Sequence, residues 1–246
     1  MTYCLAVKVN EGLVLLSDTR TNAGLDDISR FRKMFIWEQP GERSVVLLTA
    51  GNLGVTQGVI TRIEAAVDAA SRGEEVESIL TCATLYRAAE LVGEAMNAMQ
   101  ARDRARIEAS GAAADATIIL AGQRHGGEMR LFLIYTAGNF IEATEDTPFF
   151  QIGEHKYGKP ILDRVIKPST PLSDALKAAM ISMDSTLRSN LSVGMPLDLA
   201  VVHAAQYGVV QSRRFESDDP VFRQISEAWS RELRQAFHAL PEVPIS

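Results

Sequence analysis

The chain has 246 residues, 46% of them hydrophobic and 23% charged, with a formal net charge of −6 at pH 7. That length builds one large core or two modest ones, and the acidic balance argues against nucleic acid or an anionic membrane surface as a partner. No apolar run approaches the ~18 residues of a bilayer-spanning helix.

Residues 3–9, "YCLAVKV", and 13–20, "LVLLSDTR", are apolar runs joined by "NEG", which predicts a hairpin. A polar loop with Gly24 follows, then a predicted third strand at 31–37, "FRKMFIW". The fourth, 44–51, is almost wholly apolar, as expected of a strand buried on both faces. Helical spacing marks 55–73, ending on Gly73, and a long second helix over 75–109 with apolar positions at Ile79, Ala83, Tyr86, Ala89 and Val92. Strands return at 115–123, 129–137, 140–144 and 149–153. Helices are expected over 155–166 and 171–190, strands over 196–204 and 208–216, and a last helix over about 219–239. Strand clusters alternate with helix pairs and no linker intervenes. The expected fold class is α+β in one domain spanning 1–246, with helix pairs covering two stacked, mainly antiparallel sheets.

The start of the chain carries the first candidate chemistry. A hydroxyl needs a base to become a nucleophile, and an N-terminal threonine can use its own α-amine, whose reference pKa of ~7.7–8.0 lies near working pH. Removal of Met1, which a small second residue permits, would give Thr2 both functions; with Met1 attached the amine is an amide and that base does not exist. The hairpin brings Asp18 and Arg20 back to the chain start, where Asp18 either orients groups around Thr2 or is a solvated strand-end carboxylate. Strand alternation places Lys33 on one face with Phe31 and Phe35, as an edge residue reaching for water or as a buried ammonium. Gly51, in "TAGNLG", either serves a plain strand-to-helix turn or lets a backbone N–H approach a substrate oxyanion.

Taken together, Thr2, "LLSDTR", "FRKMF" and the strand-ending "TAG" resemble the proteasome β-type subunits of the N-terminal nucleophile hydrolases, over roughly residues 2–216. "TYC", "SDTRTNAG" and "QIGEHKYGKPILDRVI" are most similar to the bacterial Anbu (ancestral β subunit) branch. The resemblance implies a four-layer αββα sandwich, with Thr2 as nucleophile, its freed amine as base, Asp18 and Lys33 tuning that pair, and the Gly51 N–H in the oxyanion hole. It also implies a homo-oligomeric ring or open lock-washer of about a dozen subunits. Glu154 stands where that family usually has a supporting serine. In "MDSTLRSNLSVGMPLD", Ser192 falls at the place of a second supporting serine, Ser189 occupies the usual aspartate position, and Asp184 lies about one turn earlier as a substitute.

Other chemistries find less support. His125, His155, His203 and His238 are scattered without the spacing of a helical zinc site, so no metal is expected. No phosphate-binding loop occurs and no cofactor is expected. Cys4 reads as a small core residue within an apolar strand. With Cys4 and Cys82 forming no disulfide framework, and Lys8 and Asn10 interrupting any signal-peptide core, a cytoplasmic setting is expected. The last helix carries Phe222, Ile225, Trp229, Leu233 and Phe237 on one side, to cover its own core or a neighbour. Three functions stay open: a compartmentalised threonine peptidase on peptides, an amidohydrolase with a dedicated small or conjugate amide, and a shell protein with little catalysis. Any ATP-driven unfoldase would be a separate protein.

Overall fold

The computed structural model describes residues 2–22 and 28–243. Its strands are β1 (Tyr3–Val9), β2 (Gly12–Asp18), β3 (Arg20–Asn22), β4 (Ile28–Arg30), β5 (Met34–Gln39), β6 (Arg43–Gly51), β7 (Ala116–Arg124), β8 (Arg130–Ile134), β9 (Phe140–Glu142), β10 (Phe149–Gly153), β11 (Leu197–His203) and β12 (Val209–Phe215). Its helices are α1 (Leu53–Ser71), α2 (Leu85–Ala109), α3 (Lys159–Val165), α4 (Leu172–Ser189) and α5 (Pro220–His238). One sheet runs β10-β1-β2-β11-β12, the other β5-β6-β7-β8-β9, and β3 and β4 pair as a small ribbon.

The strand period of two explains the layering. In β1, Tyr3, Leu5 and Val7 face a core shared with Met180 and Met183 of α4. Cys4 and Ala6, on the opposite face, join Leu13, Leu15, Val46, Leu48 and Ile119 between the sheets. In β6 and β7, Val45, Leu47, Ile118 and Leu120 turn outward to Val59 and Ile63 of α1 and Val92 and Met96 of α2. Three stacked cores thus separate four layers, α3/α4, two antiparallel sheets and α1/α2, as the αββα reading expects. The apolar runs of β1, β2, β6 and β7 have to be continuous because each of these strands is covered on both sides.

Three local expectations are corrected. The third strand begins at Met34, and residues 31–33 form an irregular link, because β4 ends at Arg30 and the chain must cross from the small ribbon to the second sheet. The second helix begins at Leu85 and runs unbroken to Ala109. Upstream, the Ser78 amide donates to Thr81 Oγ1 and the Leu80 amide to Ser78 Oγ, holding tight turns, and Thr84 Oγ1 then caps the helix by accepting from Arg87 N–H. Ile79 and Ala83 therefore lie outside the helix, Ile79 buried by tertiary packing, and Tyr86 is half exposed. The helix expected at 155–166 shortens to α3, since 155–158 is a turn that carries the chain over Tyr3. Among the described residues, no helix is long and apolar enough to cross a membrane.

Candidate active site

The site forms where β1 begins and β2 ends. The hairpin register pairs Cys4 with Ser17, so Tyr3 stands across from Asp18, and the Tyr3 N–H donates to Asp18 Oδ1 at 3.0 Å. Lys33 Nζ donates to the same Oδ1 at 2.7 Å and to the Arg20 carbonyl at 2.5 Å. The Gly194 N–H reaches Asp18 Oδ2 at 3.3 Å. The side chains of Lys33 and Asp18 are 5% and 0% exposed, so this is a buried ion pair. Of the two readings of Lys33, the buried ammonium holds. Its position does not come from strand alternation, because Lys33 sits in the link before β5 and is fixed by the Thr49 N–H donating to its carbonyl. Burial pushes the Asp18 carboxyl up, while the Lys33 ammonium and the amides of Tyr3 and Gly194 pull the other way.

Thr2 itself is half-buried. Its carbonyl accepts the Glu154 N–H at 2.7 Å. Gly153, with φ of +79°, makes that approach possible, since a Cβ there would run into the Thr2 carbonyl. Met1 lies outside the described residues. Gly51 closes β6 two residues after Thr49, whose carbonyl accepts from the Cys4 thiol at 3.7 Å, so the end of β6 borders the start of β1. Gly51 has φ of +109° and packs against the Asp115 carbonyl, leaving no room for a side chain. Asn52 follows and caps α1 through the Val55 N–H, which puts a 19-residue helix's N-terminus next to Gly51.

The remaining sequence-derived positions are spread around this centre. Ser192 lies two residues before Gly194, its N–H donating to Asn190 Oδ1 at 2.9 Å. Ser189 is exposed at the end of α4. Asp184 is buried but pairs with Arg188 at 3.0 Å, and Arg188 in turn donates to Ser226 of α5. Sequence reasoning missed several groups that shape the site. The Tyr3 hydroxyl lies in a buried set with Ser182 Oγ at 2.6 Å and Gln151 Nε2 at 2.5 Å, and burial pushes its pKa well up. The Glu154 carboxylate accepts from Asn190 Nδ2 at 3.1 Å, linking the residue on the Thr2 carbonyl to the 190–194 loop. The sequence names Glu154 as the residue replacing a supporting serine; its bond to Asn190 was not foreseen. Cys4 is fully buried, and burial raises its thiol far above the range of a reactive thiolate. Among the described residues, no group of three or more His, Cys, Asp or Glu side chains could hold a metal.

The whole architecture recurs in solved proteins. An Anbu (ancestral β-subunit) from Yersinia bercovieri superposes with a TM-score of 0.91 at 43% identity, covering 99% of each chain. An Anbu from Hyphomicrobium sp. strain MC1 gives 0.90 at 47% identity, covering 99% of this chain and 100% of that one. The chain belongs to the Anbu family. A third Anbu, from Pseudomonas aeruginosa and solved as a helical assembly, gives 0.91 at 44% identity over 98% of each chain. No protein-family model and no curated protein matches the chain. The Anbu relationship carries with it the proteasome-like N-terminal nucleophile fold that the four layers display.

Proposed function

We propose that this Anbu-family chain, acting as one domain, is an N-terminal threonine hydrolase of proteasome type that works as a homo-oligomer. The observation that supports it most is the buried Asp18–Lys33 pair whose carboxylate also holds the Tyr3 N–H, one residue from the Thr2 hydroxyl. A buried ion pair is a weak device for stability, and a charge pair packed against a potential nucleophile is what hydroxyl activation requires.

In this reading, loss of Met1 frees the Thr2 α-amine. The amine takes the Oγ1 proton through a water as Oγ1 attacks the scissile carbonyl carbon, and the π electrons move onto the carbonyl oxygen. The Gly51 N–H and the start of α1 donate to that oxyanion. Collapse re-forms the C=O and expels the leaving amine, which takes the proton from the Thr2 ammonium and leaves an ester on Oγ1. A water then attacks the ester, gives its proton to the amine, and releases the acid as the hydroxyl is restored. The Lys33 charge favours the developing alkoxide, and Asp18 fixes the ammonium. Ser192 supports the same centre, with Asp184 and Ser189 as outer contributors. Substrates are peptides or small amides; no cofactor, nucleic acid or membrane takes part, and the setting is cytoplasmic. The helical assembly of the Pseudomonas aeruginosa relative favours an open ring or helix of about a dozen subunits here.

The test is N-terminal mass analysis of purified protein combined with turnover of fluorogenic peptides and small amides by wild type, Thr2→Ala and Thr2→Ser. Loss of both activities in Thr2→Ala, with partial retention in Thr2→Ser, supports the mechanism. Cleavage of amides alone selects a dedicated amidohydrolase, and an inert wild type lacking Met1 selects a shell protein. Full activity with Met1 retained refutes the amine base.

A further inference from the structure

Arginines gather at one edge of the sandwich, on a chain whose net charge is −6. An open cleft of about 460 Å³ lies there, where β5 borders one sheet and β12 the other. Arg30 of β4, Arg32 of the link that follows, and Arg213 and Arg214 of β12 all line it. Arg214 is held by Asp198 at 2.7 and 2.9 Å, and Arg213 by Asp219 at 2.6 Å. Glu216, just beyond β12, also acts on Arg214. Arg30 and Arg32 are exposed, and among the described residues neither is in an ion pair. Arg30 also stands directly across from Arg20 in the β3–β4 ribbon. Like charges in directly opposed positions are destabilising, so the gathering costs the fold free energy that a bound anion would offset.

The rest of the cleft has a different character. Phe31, Met34 and Ile36 give it an apolar wall, with Met34 rooted in the core between the sheets. The cross-strand row that ends at Arg214 runs inward through Asp198 to Ser17. The Ser17 hydroxyl is fully buried and, among the described residues, without a hydrogen-bond partner. The volume is that of a small-molecule site and too small for a folded partner. Thr2, Asp18, Lys33 and Gly51 are not among its lining residues, but Thr19 and Arg32, the chain neighbours of Asp18 and Lys33, are.

We propose that this cleft binds a small polyanion, a molecule carrying two or more carboxylate or phosphate groups on a short skeleton, at a site separate from the Thr2 centre. Planar guanidiniums match both oxyanion types through paired N–H donors. Arg30 and Arg32 supply the uncompensated charge. Arg213 and Arg214 are steadied by their carboxylates and keep further N–H groups to donate. The ligand's carbon skeleton lies against Phe31, Met34 and Ile36. The inference stands on the cleft and does not use the hydrolase chemistry.

Isothermal titration calorimetry at fixed ionic strength tests it, with citrate as the carboxylate probe and tripolyphosphate as the phosphate probe. Wild type should bind at least one of them saturably, with a single site per chain. Arg30→Gln/Arg32→Gln should weaken that binding by about tenfold or more with an unchanged melting profile, because both positions are exposed. Arg223→Gln/Arg234→Gln removes the same charge from exposed positions on α5 and should bind like wild type. Tighter citrate assigns the site to a carboxylate ligand, tighter tripolyphosphate to a phosphate one. No saturable binding of either probe by wild type, or undiminished binding by the cleft variant, overturns the site. An equal loss in the α5 variant also overturns it, since net charge and not the cleft would then hold the anion. Thr2→Ala should bind the probes as wild type does whether or not turnover is lost, which keeps this site's fate apart from that of the hydrolase reading; loss of the probes in Thr2→Ala would put them at the catalytic centre and refute a separate cleft.

Discussion

Replacing Lys33 with methionine keeps most of the side-chain volume and removes the charge. Asp18 is then left at 0% exposure without its cation, retaining only the amides of Tyr3 and Gly194. Breaking a buried pair from one side costs about 3–5 kcal/mol, and the two surviving donors place the expected loss near the lower end. The double variant Asp18→Asn/Lys33→Met removes both charges and keeps an acceptor for the Tyr3 amide, so it should lie within about 1.5 kcal/mol of wild type. The sign with pH follows from the carboxyl. Burial already raises Asp18 in the folded protein, and without Lys33 nothing charged opposes it. A group raised in the folded state favours folding below its unfolded pKa, about 3.9, and that contribution is lost as pH rises through the folded value. The deficit of Lys33→Met should therefore be largest near pH 8 and shrink on acidification. Urea unfolding at fixed protein concentration and fixed assembly state reads both quantities. A double variant as unstable as the single one, or a deficit equal at pH 5 and pH 8, would refute the ion-pair account.

Gly158→Ala should lower the melting temperature, because the new methyl would collide with the Tyr3 hydroxyl and Ser182 Oγ; about 1–3 kcal/mol of overpacking is expected by thermal denaturation, and an unchanged midpoint would argue against that packing. Gly51→Ala meets both a φ of +109° and the Asp115 carbonyl, so it should depress kcat of peptide hydrolysis more than KM while costing some stability. Asp219 caps α5 through the amides of Val221 and Phe222 and bonds Arg213. Burial pushes its carboxyl up, but these donors outweigh it and hold the pKa below its ordinary range. Its stabilising effect is present above about pH 4 and lost as pH falls through the folded value; hydrogen exchange should show α5 amides losing protection first in acid, and an acid-insensitive α5 in Asp219→Asn.

Much of the architecture could be read from local pattern. Strands β1, β2, β6 and β7 are continuous apolar runs because burial on both faces writes itself into every position. Helices α1, α4 and α5 carry a 3.6-residue stripe that survives without knowledge of neighbours. Pattern failed where competing local bonds decide the backbone. Residues 75–84 carry helical spacing, but the hydroxyls of Ser78, Thr81 and Thr84 take the amides a helix would need. The candidate site divides along the same line. Thr2, Asp18 and Lys33 could be named from residue type, order and resemblance, yet the sequence left Lys33 equally an edge residue or a buried ammonium. Only the crossing from β4 to β5 brings it onto Asp18. The Glu154–Asn190 bond and the Gly194 amide on Asp18 join segments far apart in the chain, and no local pattern encodes a contact between them. Likewise, the stripe of α5 was legible in full, but where it changes from core to uncovered ridge depends on how far the body beneath it extends. Periodicity records which side of an element is apolar; what that side meets is settled by the packing of elements that sequence separation keeps independent.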